Sequence, residues 1–259
     1  MELSSSIYAK NSNKSQSVFE TRKNKYFYKD IILHMKTIAI IPARGNSKRL
    51  PNKNLLLLGG IPLLAHSILF AQRNPSIVDE IYVTTDNAAI KKVALQYGAR
   101  VIDRPDTLSG DFEPTISCVQ HVLESILDAV ESVVLLQPTN PLRPEKLLQE
   151  AFERYHCTDA DSLFTVTRNH QKLGKIENNC FEPYNYTIGQ RSQDLEPLYF
   201  ENGLLYITKA NLILEGKIVS ENSIPFEVNH IFATVDIDTQ DDFDYAEYLI
   251  KKSSRLRST

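Results

Sequence analysis

Hydrophobic residues along the chain alternate between short β-branched runs and longer stretches with a helical period. The short runs are bounded by Pro, Gly or polar clusters, as is typical of buried strands. The longer stretches carry helix signals, for example Pro62 in a first turn and Gly98 after a last turn. The pattern predicts strands at 37–41, 80–84, 100–102, 132–136, 162–167, 203–208 and 232–235. It predicts helices at 62–73, 87–97, 114–129 and 240–250, and one more that begins at Pro144.

The alternation of strand and helix predicts a single α/β domain over residues 35–259. Consecutive βαβ units build a largely parallel sheet with helices on both faces, which gives three layers. A length of 259 residues is sufficient for one large domain with an insertion. We expect that insertion at 168–198, where Pro183 and Pro197 interrupt a polar stretch without a core period.

The first 34 residues differ in composition from the rest of the chain. They contain six basic residues, three acidic residues and six serines, and they show no helical or strand period before Ile31. They have no apolar segment of the kind found in secretory signals or membrane spans. We interpret residues 1–34 as a flexible extension, without which the protein should keep its function. The alternatives are an organelle transit peptide and an over-extended reading frame with Met35 as the natural start.

The charge and the cysteine content of the chain limit the binding partners and the cellular compartment that we expect. The net charge is -3 and the isoelectric point is about 6.1, so no general attraction to nucleic acid is expected. A membrane is not an expected partner either. The three cysteines, Cys118, Cys157 and Cys180, are an odd number without a C-x-x-C pair, which argues against a disulfide framework and a zinc cluster. We expect a cytoplasmic protein.

A loop rich in basic residues, the basic loop (residues 43–54), follows the first predicted strand. Its four cations are Arg44, Lys48, Arg49 and Lys53. Ligands of open α/β sheets bind beyond the carboxyl ends of the strands, and Arg and Lys together suit a group with several phosphate oxygens. The chain has neither the G-x-G-x-x-G dinucleotide fingerprint nor the Walker phosphate loop. We interpret the basic loop as an anion site; the alternative is a solvated surface loop.

Two aspartates near the end of the chain have the spacing of a cation site. Asp236 and Asp238 alternate at i and i+2, so both carboxylates face one side of an extended chain. Adjacent carboxylates repel unless a cation lies between them, and Mg²⁺ binds one or two carboxylates together with substrate phosphates. The alternative is that Asp238 or Thr239 caps the last helix and Asp236 is an ordinary surface residue.

Seven segments, in order along the chain, resemble motifs of the N-acylneuraminate cytidylyltransferases, the CMP-sialic acid synthetases. They are IPARGNSKRLPNKN at 41–54, TD at 85–86, RPxxL at 104–108, LQPTNPLR at 136–143, RxQD at 191–194, ENGLLYI at 201–207 and DIDTxxD at 236–242. Enzymes that activate 3-deoxy-manno-octulosonate typically have Gly-Lys-Pro-Leu where this chain has NKNL at 52–55, which favours the nine-carbon sugars. The resemblance implies a Rossmann-like nucleotidyltransferase fold with a dimerisation insertion.

The resemblance implies roles for residues of the basic loop. Arg44, Ser47, Lys48 and Lys53 would hold the phosphates of CTP, with Lys53 nearest the α-phosphate. Asn54 would contact the ribose. Lys53 and Arg44 would also take up charge as pyrophosphate leaves, so both are candidate catalytic residues.

The resemblance also implies how the base and the sugar are bound. Arg104 would reach the cytosine carbonyl oxygen, and the backbone near Thr115 would read the amino group. Gln137 and Asn202 would contact the acyl sugar. Arg191, on the insertion, would reach the sugar site of the partner subunit in a homodimer. Without the family pattern, Arg104 fits an ordinary turn, and Gln137 and Asn202 fit turn caps.

The insertion resembles the family less closely than the rest of the chain does. It lacks the usual His-Pro pair, which weakens Lys172 and Lys175 as ligands of the sugar carboxylate and leaves Arg191 as the stronger candidate. Arg143 either contacts substrate or stabilises its own loop. Asn140 stands where the family commonly has Ser, a small polar exchange that should not change the class.

The predicted reaction is transfer of CMP from CTP to the anomeric hydroxyl of a sialic-acid-like nonulosonic acid, with release of pyrophosphate. Mg²⁺ at Asp236 and Asp238 would be the cofactor, and Asp236 or a hydroxide on the metal would accept the hydroxyl proton. One alternative is a cytidylyltransferase for another acidic sugar, such as 3-deoxy-manno-octulosonate. The other is a non-catalytic nucleotide- or sugar-binding protein with the same fold.

Overall fold

The structure is a computed structural model that describes residues 35–110 and 112–256; the predicted extension at 1–34 lies outside them. The strands are β1 (Lys36–Pro42), β2 (Leu57–Leu58), β3 (Ile61–Pro62), β4 (Glu80–Thr85), β5 (Arg100–Asp103), β6 (Val130–Leu135), β7 (Ser162–Asn169), β8 (Gly174–Glu177), β9 (Cys180–Pro183), β10 (Leu198–Lys209) and β11 (Ser223–Glu227). The α-helices are α1 (Leu63–Gln72), α2 (Ala88–Gln96), α3 (Thr115–Ser125), α4 (Leu147–His156), α5 (Ala210–Leu214) and α6 (Gln240–Leu256). Short 3-10 helices lie at Lys53–Leu55, Asp106–Leu108, Ser192–Asp194 and Ile231–Thr234.

Seven strands form one sheet in the order β11-β7-β10-β6-β1-β4-β5. β1 pairs in parallel with β4 and β6, β4 pairs in parallel with β5, and β7 pairs in parallel with β11. Only β10 runs antiparallel to both of its neighbours in this sheet. The predicted mostly parallel sheet is therefore confirmed. Because β1, β4, β5 and β6 run in one direction, the loops after them emerge at the same edge, where ligands of such sheets bind.

Helices cover both faces of the sheet and complete the predicted three layers. Along β1, Ile38 and Ile40 point to one face and pack with α3 and α5. Ala39 and Ile41 point to the other face and pack with α1, α2 and α4. Each fully buried Ile side chain stabilises the fold by roughly 1.5–3 kcal/mol, so β1 is held firmly just before the basic loop. Within the described residues, no helix has the length and the apolar composition needed to cross a membrane.

A third apolar cluster fixes the basic loop against the C-terminal part of the chain. Leu50 of the basic loop and Leu58 of β2 pack with Val235 and Ile237, and all four pack against α6. The cluster explains why Lys53 and Asp238 meet, although 185 positions separate them in the sequence.

Two strand assignments from the sequence need correction. The apolar composition of residues 232–235 predicted a strand, but the chain forms a 3-10 helix at Ile231–Thr234. His230 caps this turn, because its ring nitrogen accepts a hydrogen bond from the amide of Phe232. β11 was not predicted. It contains Pro225 and pairs on one side only, with β7, which agrees with the confinement of strand prolines to sheet edges.

The insertion contains a separate two-stranded hairpin that the sequence pattern did not predict. β8 and β9 pair antiparallel across the two-residue turn Asn178-Asn179. Both turn residues have positive φ, 51° and 63°, which is the geometry of a type I′ turn, and Asn tolerates it better than most residues. The flanking strands are longer than predicted, because β7 extends to Asn169 and β10 begins at Leu198.

Candidate active site

A cavity of about 530 Å³ opens at the edge of the sheet where β1, β5 and β6 end. Nine of the residues predicted to bind nucleotide, sugar or metal line it: Arg44, Ser47, Lys48, Lys53, Asn54, Arg104, Thr115, Gln137 and Asp238. Asp236, Arg191 and Asn202 are not among its lining residues. The structure thus brings together residues from four distant parts of the sequence.

The start of the basic loop is held by side chains on both sides. The buried Asn54 donates from Nδ2 to the carbonyl oxygen of Arg44, at 2.9 Å. The amide of Gly45 donates to Oδ1 of Asp86 at 2.7 Å. A Cβ on Gly45 would lie 2.7 Å from the Cβ of Asn87, so only glycine fits this close approach. The loop therefore has a defined shape before any anion binds.

Lys53 and Arg49 both form ion pairs with Asp238. Lys53 Nζ lies 2.8 Å from Asp238 Oδ1 and also donates to the carbonyl oxygen of Ile237, at 2.8 Å. Arg49 lies 2.6 Å from Asp238 Oδ2, but its side chain is 68% exposed, against 11% for Lys53. The Lys53 pair is therefore the less screened of the two. It also joins the predicted phosphate site to the predicted metal site.

Asp236 lies two residues before this ion pair, on an extended segment. Val235 and Ile237 are buried, so the alternate residues Asp236 and Asp238 face the opposite side. Asp236 is an exposed residue, but surrounding protein partly desolvates its carboxylate, and this raises its pKa. The negative charge of Asp238 acts in the same direction, whereas a hydrogen bond from Thr139 opposes it.

The N-terminus of α6 is capped by Thr239 and not by Asp238. Asp242 Oδ2 accepts a hydrogen bond from the amide of Thr239 at 2.8 Å, and Thr239 Oγ1 accepts one from the amide of Asp242 at 3.3 Å. This reciprocal pair is a capping box. The carboxylate of Asp238 is therefore not needed for the cap and is directed at Lys53 and Arg49.

The opposite wall of the cavity is built by Arg104 and the start of α3. Arg104 is buried, and its Nη2 donates to the carbonyl oxygen of Thr84 at 2.9 Å, with a longer bond from Nε to Oγ1. These contacts fix the guanidinium in place, which an ordinary turn residue would not require. Thr115 begins α3, and its carbonyl oxygen accepts from the thiol of Cys118. Burial raises the pKa of this thiol, which lines the cavity in its neutral form.

Gln137 leaves the end of β6 on a loop that Arg143 stabilises. Arg143 is buried and donates to the carbonyl oxygens of Gln137 and Leu204, at 2.9 and 2.7 Å, and to Ser67 Oγ at 3.1 Å. Its guanidinium also lies over the ring of Phe70, with 5.4 Å between the guanidinium carbon and the ring centroid. Burial lowers the pKa of Arg143 because the charged form is desolvated. These contacts show that Arg143 stabilises its own loop, which was one of its two predicted roles; the other was contact with substrate.

Asn202 and Arg191 lie away from the cavity within one chain. The amide of Asn202 is buried between strands, where it accepts from Thr165 Oγ1 at 2.6 Å and donates to Thr167 Oγ1 at 2.9 Å. Arg191 is exposed on the insertion and forms an ion pair with Asp194, at 2.7 Å.

Asn140 is a structural residue of the site that the sequence analysis undervalued. Its Nδ2 donates to the carbonyl oxygens of Asn202 and Val235, at 3.1 and 2.9 Å, so it joins the Gln137 loop to β10 and to the segment that carries Asp236. Gly203 has a φ of +72°, and a Cβ there would lie 2.7 Å from Asn140 Oδ1. Gly203 at the start of the strand predicted at 203–208 was the available signal, because a glycine in a strand is typical of a bulge or a close backbone approach.

Several other lining residues were assigned no ligand contact from the sequence. They are Leu108, Gly110, Phe112, Glu113, Pro114, Pro138 and Thr139. Most of them lie between Arg104 and Thr115, in a stretch without helical or strand period, where no pattern indicated that they face the ligand.

Several curated proteins are similar to this chain over most of its length. The CMP-N,N'-diacetyllegionaminic acid synthase of Legionella pneumophila is 36% identical over 235 residues, covering 84% of this chain and 97% of that protein. The pseudaminic acid cytidylyltransferase of Campylobacter jejuni is 34% identical over 228 residues, covering 84% of this chain and 97% of that protein. The N-acylneuraminate cytidylyltransferase of Streptococcus agalactiae is 34% identical over 216 residues, and the match spans 52% of that longer protein.

Solved structures with the same fold include two enzymes named for cytidylyl chemistry. CMP:2-keto-3-deoxy-manno-octonic acid synthetase, complexed with CTP, superposes with a TM-score of 0.65 at 16% identity, covering 84% of this chain and 99% of that chain. A 4-diphosphocytidyl-2C-methyl-D-erythritol synthase gives a TM-score of 0.63 at 16% identity, covering 84% of this chain and 99% of that chain. These likenesses confirm the predicted nucleotidyltransferase fold.

The family described as cytidylyltransferase matches residues 38–257. This range includes the basic loop, the Arg104 wall, Gln137 and both aspartates of the predicted metal site. It agrees with the resemblance found in the sequence motifs. The chain belongs to the cytidylyltransferase family.

Proposed function

We propose that the protein transfers CMP from CTP to the anomeric hydroxyl of a sialic-acid-like nonulosonic acid and releases pyrophosphate. The observation that carries this proposal is the meeting, in one cavity, of the basic loop, the fixed guanidinium of Arg104 and the Gln137 loop. By their names, the three relatives described above are a synthase of CMP-N,N'-diacetyllegionaminic acid and cytidylyltransferases of N-acylneuraminate and of pseudaminic acid.

The basic loop is suited to the triphosphate of CTP. The cavity is lined by all four predicted phosphate ligands: Arg44, Ser47, Lys48 and Lys53. The hydrogen bonds from Gly45 to Asp86 and from Asn54 to Arg44 shape the loop before the ligand arrives. Phosphate oxygens would compete with Asp238 for the ammonium of Lys53. A cation fixed in this way stabilises charge as pyrophosphate leaves, with little reorganisation at the moment of reaction.

Arg104 and the start of α3 are suited to the edge of cytosine. Because Thr84 orients its guanidinium, Arg104 is prepared to donate to the carbonyl oxygen of the base. The backbone around Thr115 would read the exocyclic amino group. A site that hydrogen-bonds a substrate group rejects analogues without it, because its own polar groups are then left unpaired.

The chemical step needs the sugar hydroxyl to lie in line with the α-phosphate and to lose its proton. Gln137 lines the same cavity as the basic loop and would orient the sugar, and positioning of this kind supplies much of the catalysis of phosphoryl transfer. Asp236, on the same extended segment as the cavity-lining Asp238, is our candidate for the base.

Asp236 and Asp238 fit a site for Mg²⁺. Both carboxylates face the same side, and the negative charge of Asp238 raises the cost of ionising Asp236. The described residues contain no group of three or more His, Cys, Asp or Glu side chains that could hold a metal, so phosphate oxygens and water would supply the other ligands, as Mg²⁺ usually requires. Bound there, Mg²⁺ would neutralise charge on the CTP phosphates.

We further propose a homodimer formed through the insertion. The insertion exposes several large apolar side chains: Ile176, Phe181, Tyr184 and Ile188. Ile176 and Phe181 lie opposite each other in the hairpin, so their side chains share a face, and a cluster of exposed apolar side chains favours an interaction site. A second copy would cover it and would bring Arg191, which stays outside the cavity of its own chain, to the sugar site of the partner.

We place the enzyme in the cytoplasm. Cys118, Cys157 and Cys180 are all free thiols, and the last two are exposed. Exposed free thiols are typical of proteins from a reducing compartment.

Pyrophosphate release tests the proposed function directly. The purified protein would be supplied with CTP, Mg²⁺ and, one at a time, sialic, legionaminic and pseudaminic acids and 3-deoxy-manno-octulosonate. We expect turnover with at least one nonulosonic acid. Turnover with 3-deoxy-manno-octulosonate alone would support the alternative substrate class, and CTP binding without turnover of any sugar would support a non-catalytic protein.

A further inference from the structure

Phe112 is an exposed aromatic residue at the mouth of the cavity. Its side chain is fully exposed, and among the lining residues that the structure describes it is the one aromatic side chain. A fully exposed Phe gains no stability from burial. Other exposed rings, such as Phe181 and Tyr184, lie on the insertion, where a second copy is proposed to cover them. Phe112 has no such explanation.

The backbone near Phe112 is anchored to both halves of the nucleotide site. The carbonyl oxygen of Gly110 accepts a hydrogen bond from Nη1 of Arg44 at 3.2 Å and from the amide of Glu113 at 3.3 Å. Three residues after Phe112, Thr115 begins α3. The ring is therefore carried between a residue of the phosphate site and the backbone proposed to read the base.

We propose that Phe112 stacks on the pyrimidine ring of bound CTP. This inference rests on the proposed function and adds a residue to it. Arg104 and the backbone near Thr115 address the edge of the base, which leaves its flat faces without a partner of their own. Stacking on an aromatic side chain stabilises a base without distinguishing one base from another. Phe112 would then contribute affinity, whereas Arg104 and the start of α3 would contribute selectivity.

Steady-state kinetics separate these two contributions. Phe112→Ala should raise the KM for CTP about tenfold, the lower part of the range expected for loss of one stack, because the exposed ring stays partly hydrated. The kcat should change less than about twofold, and the ratio of kcat/KM for CTP to that for UTP should be unchanged. Phe112→Tyr, which keeps the ring, should restore the KM.

Leu127→Ala is the matched control. Leu127 is also fully exposed and apolar, but it lies beyond the far end of α3, a helix about 16 Å long. This substitution should leave all constants at wild-type values.

A fluorescence measurement tests the contact itself. The chain contains no tryptophan, so Phe112→Trp introduces a single tryptophan at the position of interest, and its emission can be excited selectively over that of the tyrosines. CTP should quench its emission by stacking, and inorganic tripolyphosphate, which can occupy the basic loop but has no base, should not. Equal quenching by both ligands, or an unchanged KM in Phe112→Ala, would overturn the inference.

Calorimetric titration of the wild-type protein with CTP distinguishes this failure from failure of the proposed function. If CTP binds with the same affinity to wild-type and Phe112→Ala protein, only the role of Phe112 is wrong. If the wild-type protein does not bind CTP, the proposed function is wrong and the role of Phe112 with it.

Discussion

Asp238 forms ion pairs with both Lys53 and Arg49, and this makes Asp238→Asn the most informative substitution in the site. The asparagine keeps the shape of the side chain but removes its charge. It removes a proposed Mg²⁺ ligand and the carboxylate that holds two cations of the basic loop. It does not disturb the cap of α6, because Thr239 and Asp242 form that cap.

The expected loss of activity is much larger than the expected loss of stability. Metal-assisted charge stabilisation is typically worth several kcal/mol, and about 1.4 kcal/mol corresponds to tenfold in rate, so kcat should fall at least ~10²-fold. Partly exposed ion pairs contribute only about 0–1 kcal/mol each. Relief of the repulsion with Asp236 offsets part of that loss. We therefore expect a change in Tm of no more than about 2–4 °C.

The assay combines turnover with metal binding. The kcat is measured by pyrophosphate release at saturating CTP and Mg²⁺, and binding of Mn²⁺ to the CTP complex is measured by electron paramagnetic resonance. Asp161→Asn is the control, since Asp161 forms a comparable ion pair with Lys209, at 2.8 Å, outside the cavity lining. It should lower Tm to a similar extent without changing kcat. A near-wild-type kcat and unaltered Mn²⁺ affinity in Asp238→Asn would refute the metal assignment for this residue.

Three further predictions follow from other parts of the site. Asn140→Ala leaves two buried carbonyl oxygens without a donor, at about 1–3 kcal/mol each, so thermal unfolding should begin several degrees lower; an unchanged Tm would show that these bonds do not stabilise the site. CTP should have a clearly higher kcat/KM than UTP, whose carbonyl replaces the amino group that the backbone reads, and equal values would contradict the base assignment. Phe181→Asp should convert the proposed dimer to monomers, as measured by light scattering. Arg191→Ala should raise the KM for the sugar more than the KM for CTP. An active wild-type monomer would exclude a sugar site that is shared between two subunits.

The local parts of the fold were predictable from the sequence, and the long-range parts were not. The helices at 62–73 and 87–97 agree with α1 and α2 to within a residue or two, because their start and stop signals are local. The strand predicted at 232–235 was wrong, because an apolar run does not reveal the turn that His230 caps. The hairpin of β8 and β9 had a signal in Asn178-Asn179, but its strands are exposed and have no hydrophobic alternation to identify them.

The site was predictable where it depends on loops that follow strands. The basic loop, Arg104 and Gln137 all follow predicted strands, so their convergence at one edge of a parallel sheet follows from topology. The clamp of Asn140 on Gly203 depends on a bulge in an antiparallel strand, and the contact of Lys53 with Asp238 depends on the third apolar cluster. The first has only the Asn202-Gly203 pair as a local signal, and the second has no signature in a short window of sequence.

Rapid-quench experiments with labelled CTP test the central claim most directly. With a sugar that supports turnover, the α-phosphate label should appear in the CMP-sugar with the same time course as the γ-phosphate label appears in pyrophosphate, and the protein should carry no label. Without sugar, neither label should move. Transfer of the α-label to the protein, or release of free CMP at the same rate without sugar, would contradict direct attack by the sugar hydroxyl on the α-phosphate.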